Sequence, residues 1–156
     1  MTDDCLKATA VIDAAVGDVF AVLADPTKHA SIDGTGWVCE ALDTQPITAA
    51  EQIFRMAMYH PNHPDGNYRM FNAVEVFEPP TVISWKPGYD VGDGTLGFGG
   101  WLWRYDLVPA GRSTTVTLTY DWSGVPDDIR ERIGFPPFSP QHLDNSLAHL
   151  AELVTT

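Results

Sequence analysis

The sequence predicts an α+β fold, with helices segregated from an antiparallel sheet. Two periodicities carry that reading. The last stretch, Phe138–Val154, places Leu143, Leu147, Leu150 and Val154 at i, i+4, i+7 and i+11, one apolar stripe on a helix of about four turns. Almost everything between Trp37 and Trp122 instead alternates with period two, so the helix has a sheet to lie on. A third observation is the signal for two short helices that follows the first strand.

In order, Lys7–Asp13 reads as a strand, and Asp13 as the cap of the helix after it. There Val16, Val19, Phe20 and Leu23 share one face, and Gly17 weakens the helix by about 1 kcal/mol relative to alanine. Asp25-Pro26 repeats the cap-then-proline signal, which predicts a second short helix over Pro26–Ser31. Asp33-Gly34-Thr35-Gly36 reads as a turn, followed by alternation from Trp37 to Leu42.

Ile47–His60 reads as one long strand with Phe54, Met56, Met58 and His60 on one face. Pro61–Asn67 is a hairpin turn with Asp65-Gly66 its strongest signal. Tyr68–Glu78 returns, with Met70, Asn72, Val74 and Val76 together, and Pro79-Pro80 ends it. Thr81–Lys86 is a short strand and Pro87–Gly100 a long glycine-rich connection. Trp101, Trp103, Tyr105 and Leu107 share one face of the next strand; Val116, Leu118, Tyr120 and Trp122 share one face of Thr114–Trp122. A proline-rich loop from Pro126 leads to the final helix, which Ser139 would cap with Pro140 in its first turn.

The chain has 156 residues, the length of one ordinary domain, and can bury roughly 70% of its unfolded surface without a disulfide or metal staple. Its net charge of −12 repels nucleic acid and anionic membrane surfaces. No apolar run is long enough to span a bilayer. No basic-then-apolar leader opens the chain, and Cys5 and Cys39 form no metal spacing or disulfide framework. The expectation is a cytoplasmic protein without cofactor, monomeric or a homodimer.

The element order, with the segments Ala8–Gly36, Val74–Trp85, Trp103–Gly111 and Thr114–Gly124 and a closing helix carrying SLAHL, resembles the START-like (SRPBCC, helix-grip) superfamily. The branch it looks most like is the polyketide cyclase/dehydrase-like one. At Ile32 the chain carries an aliphatic residue where close relatives often carry an aromatic. The resemblance implies a curved sheet of about seven strands wrapped around the C-terminal helix, with a cavity between them for a lipid, sterol or polyketide-like aromatic. Some members cyclise or dehydrate polyketides; others are carriers or regulatory partners.

On that expectation the inward faces pool into candidate ligand contacts: Phe54, Met56, Met58, Met70, Trp85, Trp101, Trp103, Tyr105, Leu118 and Trp122, with Ser146 and Leu150 from the helix. Tryptophan and tyrosine suit a mostly apolar ligand whose oxygens must be oriented, and methionine adapts to irregular shapes. The plain alternative is a packed, ligand-free core in a chaperone-like or regulatory interaction module. For catalysis the candidates are His60 as general base, with Asn72 or Tyr120 holding an enolate oxygen, for intramolecular aldol cyclisation and loss of water. The bland reading of His60 is a solvated hairpin-end residue. His60 and His63 have metal-ligand chemistry, but two prolines in the turn splay them, so no metal is expected. His142 and His149, one heptad apart, flank the leucine stripe. Asp33 and Asp121 are candidate acids by residue type, but Asp33-Gly34 is ordinary turn chemistry and Asp121 alternates outward.

Overall fold

The computed structural model describes residues 5–33, 38–59, 67–90, 95–133 and 141–155. Strand β1 (Cys5–Ile12) leads into helix α1 (Val16–Leu23), a 3-10 turn (Pro26–Lys28) and the single helical turn α2 (His29–Ile32). Strands β2 (Val38–Ala41), β3 (Ile53–Tyr59), β4 (Asn67–Glu78), β5 (Val82–Asp90), β6 (Leu96–Phe98), β7 (Leu102–Ala110) and β8 (Ser113–Asp121) follow. The chain closes with α3 (Asp127–Ile133) and α4 (Gln141–Thr155).

The expected α+β fold is observed. The sheet is antiparallel, curled and eight-stranded, in the order β1-β8-β7-β5-β4-β3-β2, with β6 paired to β5 beside that path. Every neighbour except β1–β8 and β5–β7 is consecutive in sequence, so short connections suffice for most of the sheet. Helix α4 packs on β1, β8, α1 and α2. Leu143, Leu147 and Leu150 are buried from it, together with His142 and Ser146. Phe54, Met56, Val74, Ile83, Leu107, Val116 and Leu118 meet them from the sheet.

Several local expectations are corrected. Asp13 does not cap α1: the N-cap is Ala15, with no side-chain hydrogen bond. The helix starts too far along the chain for the Asp13 carboxylate, which accepts instead from Ser113 Oγ at 3.4 Å, while Thr114 Oγ1 donates to the Ala14 carbonyl at 2.8 Å. The corner is thus tied to β8. Asp25, by contrast, caps the second helical segment as expected, accepting from the Thr27 backbone N–H at 3.0 Å and hydroxyl at 2.6 Å.

The long strand expected from Ile47 begins only at Ile53. Before it, Gln52 closes a loop on itself: its side-chain carbonyl accepts from Thr48 N–H at 2.8 Å and its amide donates to the Pro46 carbonyl at 3.0 Å. Glu51 adopts a positive φ of 70° there. Ile47 is nevertheless buried and donates its N–H to Ala24 at 2.7 Å, which pins this loop to the helical corner.

Part of the connection expected over Pro87–Gly100 is strand. β5 runs through Pro87 to Asp90, and β6 pairs with its end. Pro87 falls between the segment of β5 paired with β7, which ends at Trp85, and the segment paired with β6, which begins at Gly88. A missing N–H is tolerated where the strand changes partner. The loop read from Pro126 contains α3, whose Arg130 donates to the carbonyls of Val125 at 2.9 Å and Trp122 at 3.0 Å. The hairpin turn before Asn67 and the cap at Ser139-Pro140 lie outside the described residues.

Two glycines with positive φ separate two kinds of cost. Gly111, at φ +67°, turns β7 into β8 with open space where a Cβ would stand. Gly100, at φ +103°, would place a Cβ 2.4 Å from the Gly124 carbonyl oxygen. Gly111→Ala is therefore expected to cost about 1 kcal/mol, the backbone term alone. Gly100→Ala should cost more, of order 2–3 kcal/mol, since backbone must also move. Urea denaturation of the two variants checks the order.

Candidate functional site

The interior is built from the concave face of the sheet, and the register says which side chains meet. Tyr120 on β8 pairs with Trp103 on β7, Trp103 with Trp85 on β5, and Trp85 with Val74 on β4. One strand position over, Leu118 pairs with Tyr105 and Tyr105 with Ile83. On the far side Phe54 pairs with Asn72, Met56 with Met70, and Met58 with Tyr68.

The aromatic rings divide into two groups. Around Trp85, His29 stacks at 5.0 Å between centroids, Phe54 meets it edge-on at 5.6 Å, and Tyr105 lies at 6.0 Å. Around Trp103, Tyr120 lies at 4.5 Å and His142 approaches edge-on at 5.5 Å. Tyr120 continues to Trp122 at 5.8 Å. Trp122, Trp101 and Val125 form a satellite cluster against α3, apart from the main core that holds Phe54, Met56, Tyr105, Leu118 and Leu150.

The exposure of the inward residues is uneven. Phe54, Met56, Asn72, Tyr105, Leu118, Tyr120, Ser146 and Leu150 are buried. Met58, Met70, Trp85 and Trp103 share the same inward faces yet keep intermediate exposure. Asn72 and Tyr120 stand three strands apart, ~14 Å along the sheet at about 4.8 Å per strand. His60, the expected base, lies outside the described residues.

A polar group whose members the sequence offers only as separate residues sits where α2, β2 and α4 converge. Asp33, one residue past α2, reads as turn chemistry from sequence; its side chain is only 8% exposed. Its Oδ2 accepts the Val38 N–H at 3.0 Å, which holds the start of β2. Its Oδ1 lies 3.9 Å from Nε2 of His142, equally buried. Because Val38 pairs with Met58, and Met58 with Tyr68, the carboxylate stands by the partly exposed end of the β3–β4 hairpin. On α4, His149 Nδ1 donates to the Ile32 carbonyl at 3.1 Å, which fixes the helix against α2.

Electrostatics follow from burial. Desolvation pushes the His142 imidazole below its ordinary range; the Asp33 charge partly offsets this, and His149 adds to the depression. Desolvation also lowers His29, against a smaller upward pull from its hydrogen bond to the Leu23 carbonyl and from Asp25. His29 Nε2 is 2.8 Å from that carbonyl, which can only accept, so Nε2 carries the hydrogen. Burial raises the Tyr105 and Tyr68 hydroxyls, and the Asp33 charge raises both further, with Cys39 a smaller contributor at Tyr68. Burial alone raises Tyr120. At neutral pH the His29 and His142 imidazoles are thus neutral and the phenols protonated, in an aromatic frame. Among the described residues no group of three His, Cys, Asp or Glu side chains is gathered as a metal would require. None of their helices is long and apolar enough to cross a membrane.

Comparison with known proteins speaks to the fold. No protein-family model and no curated protein matches the chain. Solved structures do match. Protein CV1439 from Chromobacterium violaceum is similar with a TM-score of 0.68 at 20% identity, over 98% of each chain. Protein Ms6760 from Mycobacterium smegmatis gives 0.69 at 15% identity, over 97% of this chain and 91% of its own. DynU16, described as a putative protein in the dynemicin biosynthetic locus, gives 0.61 at 17% identity. The likeness to DynU16 covers 99% of this chain but 48% of that one. The architecture is therefore shared with small bacterial proteins.

The two depressed histidines set a pH dependence. Unfolding returns each to about 6.5, so below that pH the unfolded chain binds protons that the folded chain refuses. Stability is then expected to fall as pH drops below 6.5, by up to about 1.4 kcal/mol per pH unit for each histidine. Urea midpoints between pH 7.5 and 5.5 measure it, and His142→Gln should flatten the slope.

Proposed function

We propose that the chain is a START-like helix-grip protein that binds a small, largely apolar aromatic molecule between the concave sheet face and α4. The observation that carries this is the uneven burial of one continuous face. Met58, Met70, Trp85 and Trp103 point inward, beside fully buried neighbours, and are still not fully covered. A core packed to native density would cover them. Adaptable methionine and flat aromatic walls with a few polar groups are what an apolar ring compound needs.

A finer reading is acid–base turnover of the polyketide cyclase/dehydrase kind. A neutral imidazole beside a carboxylate has the chemistry to take a proton next to a carbonyl. Asn72 and Tyr120 would orient substrate oxygens from opposite sides, and His60 is the further candidate base. The dynemicin-locus protein among the fold neighbours fits a small-molecule substrate of this class.

Tryptophan fluorescence against a panel of lipids, sterols, flavonoids and polyketide-like aromatics tests the binding. Saturable quenching at one ligand per chain is expected. Trp103→Ala should weaken the best binder by about 10-fold or more, as expected for loss of an aromatic wall worth 1.5 kcal/mol. No response, with nothing bound in native mass spectrometry, would favour the packed interaction module. For turnover, unchanged rates in His60→Ala, Asn72→Ala and Tyr120→Phe would remove those residues from the chemistry.

A further inference from the structure

Strand β4 turns an amide toward the concave face. Asn72 pairs with Phe54 on β3 and Pro87 on β5, both buried, and is itself only 6% exposed. Its side chain makes no hydrogen bond to any described residue, although it is not sealed from water. Buried polar groups in proteins are nearly always hydrogen-bonded, so this one calls for a partner from outside the chain. The face around it opens outward. Met70, two positions away on the same side of β4, is partly exposed, and so is Trp85, which pairs with Val74 one step the other way. Tyr89, on the same side of β5 as Trp85 and Pro87, reaches 46% exposure. Water can serve the amide in the free protein. A flat ring lying on this face would displace that water and would have to replace its bonds.

The amide has two ends to satisfy. Oδ1 accepts and Nδ2 donates, and covalent geometry holds them about 2.2 Å apart. A second amide with its N–H and C=O on one edge has the same spacing. The two groups then meet through two parallel bonds, ligand N–H to Oδ1 and Nδ2–H to ligand C=O. A ketone, ether or lactone oxygen engages Nδ2 alone and leaves Oδ1 covered without a donor. A lone hydroxyl meets one end well and the other at a poor angle. A carboxylate brings no donor at all. The adjoining walls are rings: Phe54 lies edge-on to Trp85 at 5.6 Å, and His29 stacks on Trp85 at 5.0 Å. We propose that Asn72 selects the ligand by a two-point contact, and that the ligand is a flat aromatic with a cis-amide edge, of the lactam or pyridone class. The inference rests on the container reading above and adds to it the functional group recognised.

The test uses 2-quinolone, its N-methyl derivative, coumarin and naphthalene, each brought to equilibrium dialysis with the intact protein and read by its own absorbance. N-methylation and the lactone oxygen of coumarin both remove the donor while keeping the fused rings and the carbonyl. The wild-type chain is expected to bind 2-quinolone at least about tenfold more tightly than either, the scale of one hydrogen bond made in place of a buried acceptor left alone. Asn72→Leu keeps the volume and removes both ends; Asn72→Asp keeps the shape and replaces the donor with an acceptor. Each should bring the preference below about threefold. Circular dichroism checks that each variant folds, and either one suffices for the test. Equal wild-type binding of the quinolone, its methyl derivative and coumarin would overturn the two-point contact while leaving the container intact. A preference that survives in a folded variant would overturn it too, placing the amide edge elsewhere. Binding of none of the four compounds would overturn the container reading, and the contact with it.

Discussion

The leucine stripe of α4 against the curled sheet is the contact on which the rest depends. Leu143, Leu147 and Leu150 are almost wholly removed from water, and each contributes roughly 1.5–3 kcal/mol. The same face carries His142 and Ser146 into the interior. A helix cannot bury a stripe of leucines without burying the side chains between them, so the contact that stabilises the fold also brings a titratable group among the aromatics. His149 on the neighbouring face ties α4 to the end of α2 through the Ile32 carbonyl. One residue further on stands Asp33. Helix docking and placement of the carboxylate are thus one event.

Polar chemistry is distributed unevenly across the molecule. On the convex face, Arg104 pairs with Asp106 and Arg55 with Asp43, both in good geometry and both partly exposed. Such pairs contribute little, because water screens them. The Arg55 guanidinium does hold the Asp43 carboxyl below its ordinary range. Inside, the same kinds of group are few, shielded and surrounded by rings, where each hydrogen bond matters more and each unpaired charge costs more. His29 shows the contrast: its ring stacks on Trp85 while its N–H is satisfied by a backbone carbonyl six residues back. It serves the wall. His142 and Asp33 instead bring an imidazole and a carboxylate to within 3.9 Å of each other in the interior.

Curvature is set at identifiable places. The β4–β5 register shifts between Val74 and Val76, where the Val76 N–H turns to the Ser84 hydroxyl at 3.2 Å. A second shift lies between Val38 and Glu40. Bulges bend and twist a strand, and here they fall in the half of the sheet that carries β2 and β3 toward α2. Val38 stands at the second shift, and its N–H is held by the Asp33 carboxylate.

Much of the fold was legible in the sequence. Period-two alternation in Thr114–Trp122 and the leucine spacing of the last helix are local signals, and both elements form where those signals lie. Asp25-Pro26 was equally plain. The errors came where a distant partner competes with a local rule. Asp13 looks like a cap until Ser113 is found beside it, and Ile47–Gln52 looks like strand until Ala24 and Pro46 take its hydrogen bonds. Helix α3 carried a readable start in Pro126-Asp127-Asp128, obscured by the prolines that follow.

The candidate site divides the same way. Which side chains share a strand face follows from parity, so Phe54 could be grouped with Met56 and Met58, and Trp103 with Tyr105, from sequence alone, whereas Trp101 and Trp122 pack in the satellite cluster against α3. That Asp33 meets His142 could not, because the two lie more than a hundred residues apart and no periodicity links them. The sequence by itself determined the elements and their apolar faces, since those depend on neighbours along the chain. Only the tertiary structure decided that a residue written as a turn aspartate is buried opposite a histidine, since burial depends on what the sheet's bend and the helix's docking bring across from elsewhere.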